Sequence, residues 1–315
     1  EDATTDVDGA SVAAARFSDE KAPDDVLVLA AAGINAWAWM DWDVRQKHQD
    51  TSAESAAELL RDDICAILSC DTVRDDRAWP VLINALGALG PSGESVSVLR
   101  QYLGKESEDL RASAIIAAAW SGQDLGRGLV ELVEKIDDDK LEWVREDTLT
   151  RVVRGLLSHD AAQVDTLAGG QLEHVALGLL RDRRLDELEQ FASRYPKAVT
   201  AAIVGEMDRE PARSTSDTAI IAAAARFAPD TLAEVLRRED CDDWWERRVR
   251  AFASGMRRCG ALGWDLGDDV RQAAREFLSE ALTYPKVRVR DTVAGTLYEL
   301  DHEAFSDRLA DLIGS

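Results

Sequence analysis

The residue types that most often do chemistry are sparse in this chain and poorly spaced for it. Four histidines occur: His48, His159, His174 and His302. None stands in His-x-x-x-His or His-Glu-x-x-His spacing, which would put two imidazoles on one helix face to hold a metal. The four cysteines, Cys65, Cys70, Cys241 and Cys259, form no Cys-x-x-Cys pair. They read as small buried apolar side chains rather than as a disulfide scaffold or a zinc site. Residues 87–93, Gly-Ala-Leu-Gly-Pro-Ser-Gly, are rich in glycine. They fall between helices and not after a strand, so they read as a helix-stop turn rather than a phosphate cradle. There is no Gly-x-Ser-x-Gly elbow, and carboxylates are too numerous for any pair to stand out. Catalytic residues, metal ligands and cofactors are therefore not expected.

Two clusters are suited to binding. Residues 242–259 hold five arginines: Arg247, Arg248, Arg250, Arg257 and Arg258. At helical spacing Trp245, Val249, Phe252 and Met256 share one face, the side expected to meet the core. Arg247, Arg250, Arg257 and Arg258 project from the opposite half, with Trp244 at its margin. Such a stripe could take phosphates or an acidic protein surface. The competing reading is a solvated face paired with Asp240, Asp242, Asp243 and Glu246. The second cluster is Trp37, Trp39 and Trp42. On a helix Trp39 and Trp42 lie close together while Trp37 falls on a different side. At least one is then poorly placed for a single core face. Packing between the first helices competes with an exposed aromatic interface.

Composition bounds the class. The 315 residues exceed one ordinary compact core, so two domains or an elongated array is expected. The chain is 46% hydrophobic, which is enough to build a core. Asp and Glu number 37 and 23 against 30 Arg and 7 Lys, for a net charge of −23. At low ionic strength that charge repels itself; molar salt cuts the Debye length to about 3 Å and removes most of the strain. The balance resembles proteins of salt-in halophiles such as haloarchaea, in which acidity is general background and says little about partners. No apolar run reaches about 18 residues and no charged-then-apolar leader opens the chain, so a cytoplasmic protein outside the membrane is expected. The first residue is Glu1 rather than Met, so a processed product or a piece of something longer is expected.

The elements that must position these residues are helices throughout. Residues 1–9 are acidic and small and are expected to be frayed. From 79 to 136 the punctuation is clear. Trp79-Pro80 opens a helix with Leu82, Leu86 and Leu89 on one stripe, and Gly90-Pro91 stops it. Val96, Leu99 and Leu103 form the next stripe. Ser107 is placed to cap a third helix, with Glu108 and Asp109 in its first turn and Leu110, Ala114, Ile115 and Ala118 on its face. Leu125, Leu129, Leu132, Val133 and Ile136 make a fourth. Starts near 80, 94, 107 and 126 imply helix pairs of roughly 30 residues, a repeat period. Residues 205–217 carry no apolar stripe and read as a long loop, a candidate hinge in an array spanning 10–315.

An aliphatic-Arg step recurs: Val73-Arg74, Leu110-Arg111, Val144-Arg145, Val249-Arg250, Val270-Arg271 and Val287-Arg288. Often an acidic residue precedes it and a small one follows, as in residues 108–114, Glu-Asp-Leu-Arg-Ala-Ser-Ala. This pattern resembles the HEAT-repeat family, closely over 79–157 and 243–300 and more loosely over 10–75 and 160–240. The resemblance implies an all-α superhelix, a solenoid in which each helix pair buries its apolar face on its neighbours. It also implies that the motif arginines bond to acidic residues across repeats. HEAT-like deoxyhypusine hydroxylases bind two irons through repeated His-Glu pairs; the lone His302-Glu303 does not match them. The function implied is a non-enzymatic scaffold or adaptor that binds another protein. The alternative is a nucleic-acid-binding protein of the alkylpurine DNA glycosylase type, a HEAT-like family that uses tryptophans in a basic groove.

Overall fold

A computed structural model describes residues 13–18, 22–39, 53–69, 77–124, 128–136, 142–209, 217–236, 245–282, 287–303, 305–306 and 310. Every described element is a helix, and no strand occurs among the described residues. Two compact units divide the chain, Glu1–Leu167 and Ala168–Ser315.

In the first unit a 3-10 turn at Arg16–Ser18 precedes α1 (Asp24–Ala38), α2 (Ala53–Leu68), α3 (Ala78–Ala88), α4 (Gly93–Leu103), α5 (Glu108–Ser121), α6 (Leu129–Glu134), α7 (Glu142–His159) and α8 (Ala161–Val164). Helices α1, α3, α5 and α7 pack successively in one row, and α2, α4, α6 and α8 lie against them. The row is close because small residues line it. A methyl at Gly87 of α3 would stand 2.9 Å from the Cα of Ala117 in α5. A methyl at Gly155 of α7 would stand 2.7 Å from the carbonyl carbon of Ala119 in α5. Helix α5 is accordingly buried on nearly every side, from Leu110 through Ala119.

Local chemistry explains the boundaries. Ser92 and Ser95 form a reciprocal capping box at the start of α4. The buried stripe of α4 is Ser95, Val98, Leu99 and Tyr102 rather than Val96, Leu99 and Leu103. The ring of Tyr102 outweighs those aliphatics in buried area, and its hydroxyl finds a partner by donating to the Leu68 carbonyl at 2.9 Å. Ser107 occupies the N-cap of α5, but its side chain makes no capping bond. Gly122 ends α5 in the left-handed region at φ 67°, where a side chain would be strained. The expected stripes of α3 and α5 are buried as read. Leu125 and Arg74 lie outside the described residues.

The second unit holds α9 (Gly169–Arg181), α10 (Leu185–Arg194), α11 (Pro196–Arg209), α12 (Thr218–Phe227), α13 (Pro229–Leu236), α14 (Trp245–Ala261), α15 (Asp268–Ala281) and α16 (Val287–Leu300). Helices α9, α11, α12, α14 and α16 follow one another in contact. On their flank α10 lies against α9 and α11, and α13 against α12 and α15. The loop expected over 205–217 is shorter. Residues 205–209 complete the last turn of α11, because Met207 is buried and Glu206 pairs with Arg181 at 3.4 Å. Asp217 caps α12 by accepting from the backbone N–H groups of Ala219 and Ile220. Residues 210–216, where the rest of that loop falls, lie outside the described residues, as do residues 1–9.

Candidate functional site

Helix α14 is set in rotation by its core half. Val249, Phe252 and Met256 are buried, as the spacing requires. Gly255 admits α12 so closely that a methyl there would stand 2.7 Å from Cγ2 of Ile221. Phe252 meets Phe277 of α15 edge-on, with ring centroids 5.4 Å apart. With that half fixed, Arg247, Arg250, Arg257 and Arg258 are all exposed.

Arg248 departs from the stripe. It lies one helical turn before Phe252, hence on the core side, and is only 5% exposed. Its Nη2 donates to the Val235 carbonyl of α13 at 3.1 Å, and its guanidinium carbon lies 5.7 Å from the centre of the Phe277 ring. A buried guanidinium needs such partners, because leaving it without them costs several kcal/mol (about 3–5). Arg248 therefore ties α13, α14 and α15 together rather than facing solvent. Trp244, Asp240, Asp242 and Asp243 lie outside the described residues, as do the side chains of Trp245 and Glu246.

A cleft of about 380 Å³ opens beside the C-terminal part of α14, lined among others by Arg257, Trp264, Arg271 and Glu299. Trp264 follows Gly263, which turns the chain at φ 67°, and packs edge-on to Phe227 at 5.4 Å. It is buried, and its indole N–H has no acceptor among the described residues. Arg271 is spoken for: Nε donates to the Leu266 carbonyl at 2.9 Å, and Nη2 pairs with Asp265 at 2.5 Å. Cys259 also lines the cleft; its thiol donates to the Ala222 carbonyl at 3.6 Å, and burial pushes its pKa up to about 11. A neutral thiol is a poor nucleophile. The exposed donor lining the cleft is thus Arg257. Sequence reasoning missed Trp264. The signal available was its place directly after the glycine that ends α14.

The aliphatic residues of the recurring motif pack inward where their side chains are described, at Leu110, Val249 and Val270. Two of their arginines bond differently from the cross-repeat pattern that the resemblance implied. Arg111 pairs with Glu108 on its own helix, and Arg271 with the turn just before α15. The acidic residues nearest in sequence are simply within shorter reach.

The tryptophan cluster divides. Trp37 is fully buried in α1, which makes it a packing residue. Trp39, at the end of α1, is 42% exposed and stands edge-on to Trp120 of α5 at 5.0 Å. Arg154 of α7 lies over the other ring of that pair, 5.4 Å from the Trp120 centroid. Trp42 lies outside the described residues. Trp39 and Trp120 belong to the first unit, whereas the arginine stripe belongs to the second.

Among the described residues no group of three or more His, Cys, Asp or Glu is placed to hold a metal ion, and no helix is long and apolar enough to cross a membrane. Comparison with known proteins finds no family model and no curated protein that the chain matches.

Proposed function

We propose that the chain is a non-enzymatic, HEAT-like scaffold of a salt-adapted cytoplasm, and that it holds an acidic segment of another protein against α14. The observation that carries this reading is the division of α14 into a packed half and an exposed half bearing Arg247, Arg250, Arg257 and Arg258, in a chain whose net charge is −23. Guanidinium groups suit this task because their planar forks meet carboxylates with two parallel bonds. The cleft beside Arg257 gives an acceptor group of the same ligand a recess next to that guanidinium. Support for the HEAT-like reading comes from the successive packing of alternate helices and the inward aliphatic of the recurring motif. The nucleic-acid reading requires exposed tryptophans beside the arginines, and among the described side chains of the second unit none is placed so. Trp264, which lines the cleft with Arg257, is buried.

The test is capture from a halophile lysate in molar KCl, with and without nuclease, using the wild-type chain and a variant with Arg247, Arg250, Arg257 and Arg258 changed to Glu. Loss of a nuclease-resistant protein partner from the variant alone is the expected result. A partner abolished by nuclease moves the reading to nucleic acid. Identical partners on both baits refute the role of α14.

A further inference from the structure

Where the ends of α5 and α7 meet the starts of α6 and α8, a pocket of about 500 Å³ opens in the first unit. That volume lies within the range of small-molecule sites. Its apolar walls include Leu129, Leu156 and Ala118, and its polar lining includes Gln123, His159 and Asp160. The lining contains no Lys or Arg among the described residues.

The hydrogen-bond inventory of this lining is one-sided. Gln123 is 5% exposed, and its Nε2 donates to Ser95 Oγ at 3.0 Å. The Ser95 hydroxyl also lies 3.0 Å from the Ser92 carbonyl, to which it can donate while accepting from Gln123. In this orientation of the amide, Gln123 Oε1 is buried without a donor among the described residues. His159 places Nε2 2.9 Å from the Trp120 carbonyl. A carbonyl only accepts, so Nε2 carries the proton, and Nδ1 of the neutral ring is an acceptor. Gln163 is used at both ends: Nε2 donates to Asp160 Oδ2 at 2.7 Å, and Oε1 accepts from the Leu129 N–H at 2.7 Å. Asp124 also lines the pocket. The lining thus combines acceptors, among them the Asp160 carboxylate, with an apolar wall.

We propose that this pocket binds an organic cation with several N–H donors on a short apolar stem, a guanidinium or ammonium head on an alkyl chain. The head supplies the donor that Gln123 Oε1 lacks and meets the Asp160 carboxylate; the stem lies on Leu129 and Leu156. An unsatisfied buried acceptor gains most from a charged donor, which is what makes the head preferable to a neutral amide. The site belongs to the first unit and does not depend on the arginine face of α14.

The test is calorimetric titration of the full chain in molar KCl at pH 8 with n-butylguanidinium, beside N-butylurea, which has nearly the same shape and no charge. The expected result is saturable binding of one butylguanidinium, with butylurea roughly tenfold weaker or more. Asp160→Asn and Gln123→Leu, each checked for an unchanged circular dichroism spectrum, are expected to weaken the cation by a similar factor. Asp160 is exposed, so its variant keeps the test decisive if Gln123→Leu misfolds. A blocked Ala-Arg-Ala peptide separates the sources: tighter binding than the free head assigns the cation to a protein side chain, weaker binding to a small molecule. No saturable binding up to about 10 mM, equal affinity for the cation and the urea, or no response to Asp160→Asn would overturn the proposal.

Discussion

Gly155→Ala puts the packing of the first unit to a sharp test. Residue 155 lies in α7 facing α5, and the added methyl would stand 2.7 Å from the Ala119 carbonyl carbon, 2.8 Å from the Trp120 nitrogen and 2.9 Å from the Ala119 oxygen. All three are backbone atoms, so no side chain can swing aside. Nor can α5 retreat, because on its other flank α3 approaches through Gly87, where a methyl would come within 2.9 Å of the Ala117 Cα. Overpacking of this kind costs about 1–3 kcal/mol, and the backbone obstacle places it toward the top of that range. Alanine's better helix propensity offsets about 1 kcal/mol. The net loss is about 1–2 kcal/mol, a fall in Tm of about 2–8 °C for a unit of this size. The assay is thermal unfolding followed by circular dichroism in molar KCl, with Gly260→Ala as its control. Gly260 is helical and exposed, and a methyl there meets nothing within 4 Å. That variant should hold its Tm or gain a few degrees. If Gly155→Ala melts with or above the wild type, α5 and α7 do not meet backbone to backbone and the reasoning fails.

Tyr102→Phe should cost about 1–3 kcal/mol in urea unfolding, because the Leu68 carbonyl at the end of α2 loses its buried donor; an unchanged midpoint would show that bond to be worthless. In a Cys70→Ser, Cys241→Ser background, neither remaining thiol should react with an aromatic disulfide at pH 8 until urea is added. Burial, helped by Glu94 and Asp62, pushes Cys65 up to about 12, and burial pushes Cys259 up to about 11. The folded state therefore holds these protons more tightly than the unfolded chain. The stability they contribute is complete below the unfolded value of 9.0 and is lost as pH rises from there through 11 to 12. Double-cysteine replacement by alanine should flatten that alkaline decline. Finally, raising KCl from about 0.1 M to 1 M shortens the Debye length from about 10 Å to 3 Å and should raise Tm; a melt indifferent to salt would count against a salt-adapted chain.

Helices were legible in the sequence wherever boundary residues agree with the apolar stripe, as at the Gly90 stop and the N-cap position of Ser107. The stripe of α4 was misread because aliphatic spacing was given more weight than Tyr102, whose partner on α2 is remote in sequence. The end of α11 was misread because Met207 is one apolar residue among polar ones and only tertiary contact buries it. On α14 the exposed arginines followed directly from helical period, yet Arg248 needed the Phe277 ring and the Val235 carbonyl to explain it. The pocket at the ends of α5 and α7 was not legible at all. Its polar lining comes from Gln123, His159 and Asp160, residues with no motif between them, and the acceptor character depends on which atoms Ser95 and Trp120 already occupy.

If α14 holds an acidic segment as proposed, the seating of Arg248 also bears on how fast such ligands come and go. Because it ties α14 to both α13 and α15, the surface carrying the exposed arginines is ordered before anything arrives. Little rotational freedom of the helix itself remains to be lost on binding. In molar salt the long-range pull of those arginines is screened within about 3 Å, so encounter rates should differ little between one acidic ligand and another. Discrimination then falls to residence time: ligands that fit the fixed spacing of the guanidinium groups stay, and those that do not leave quickly.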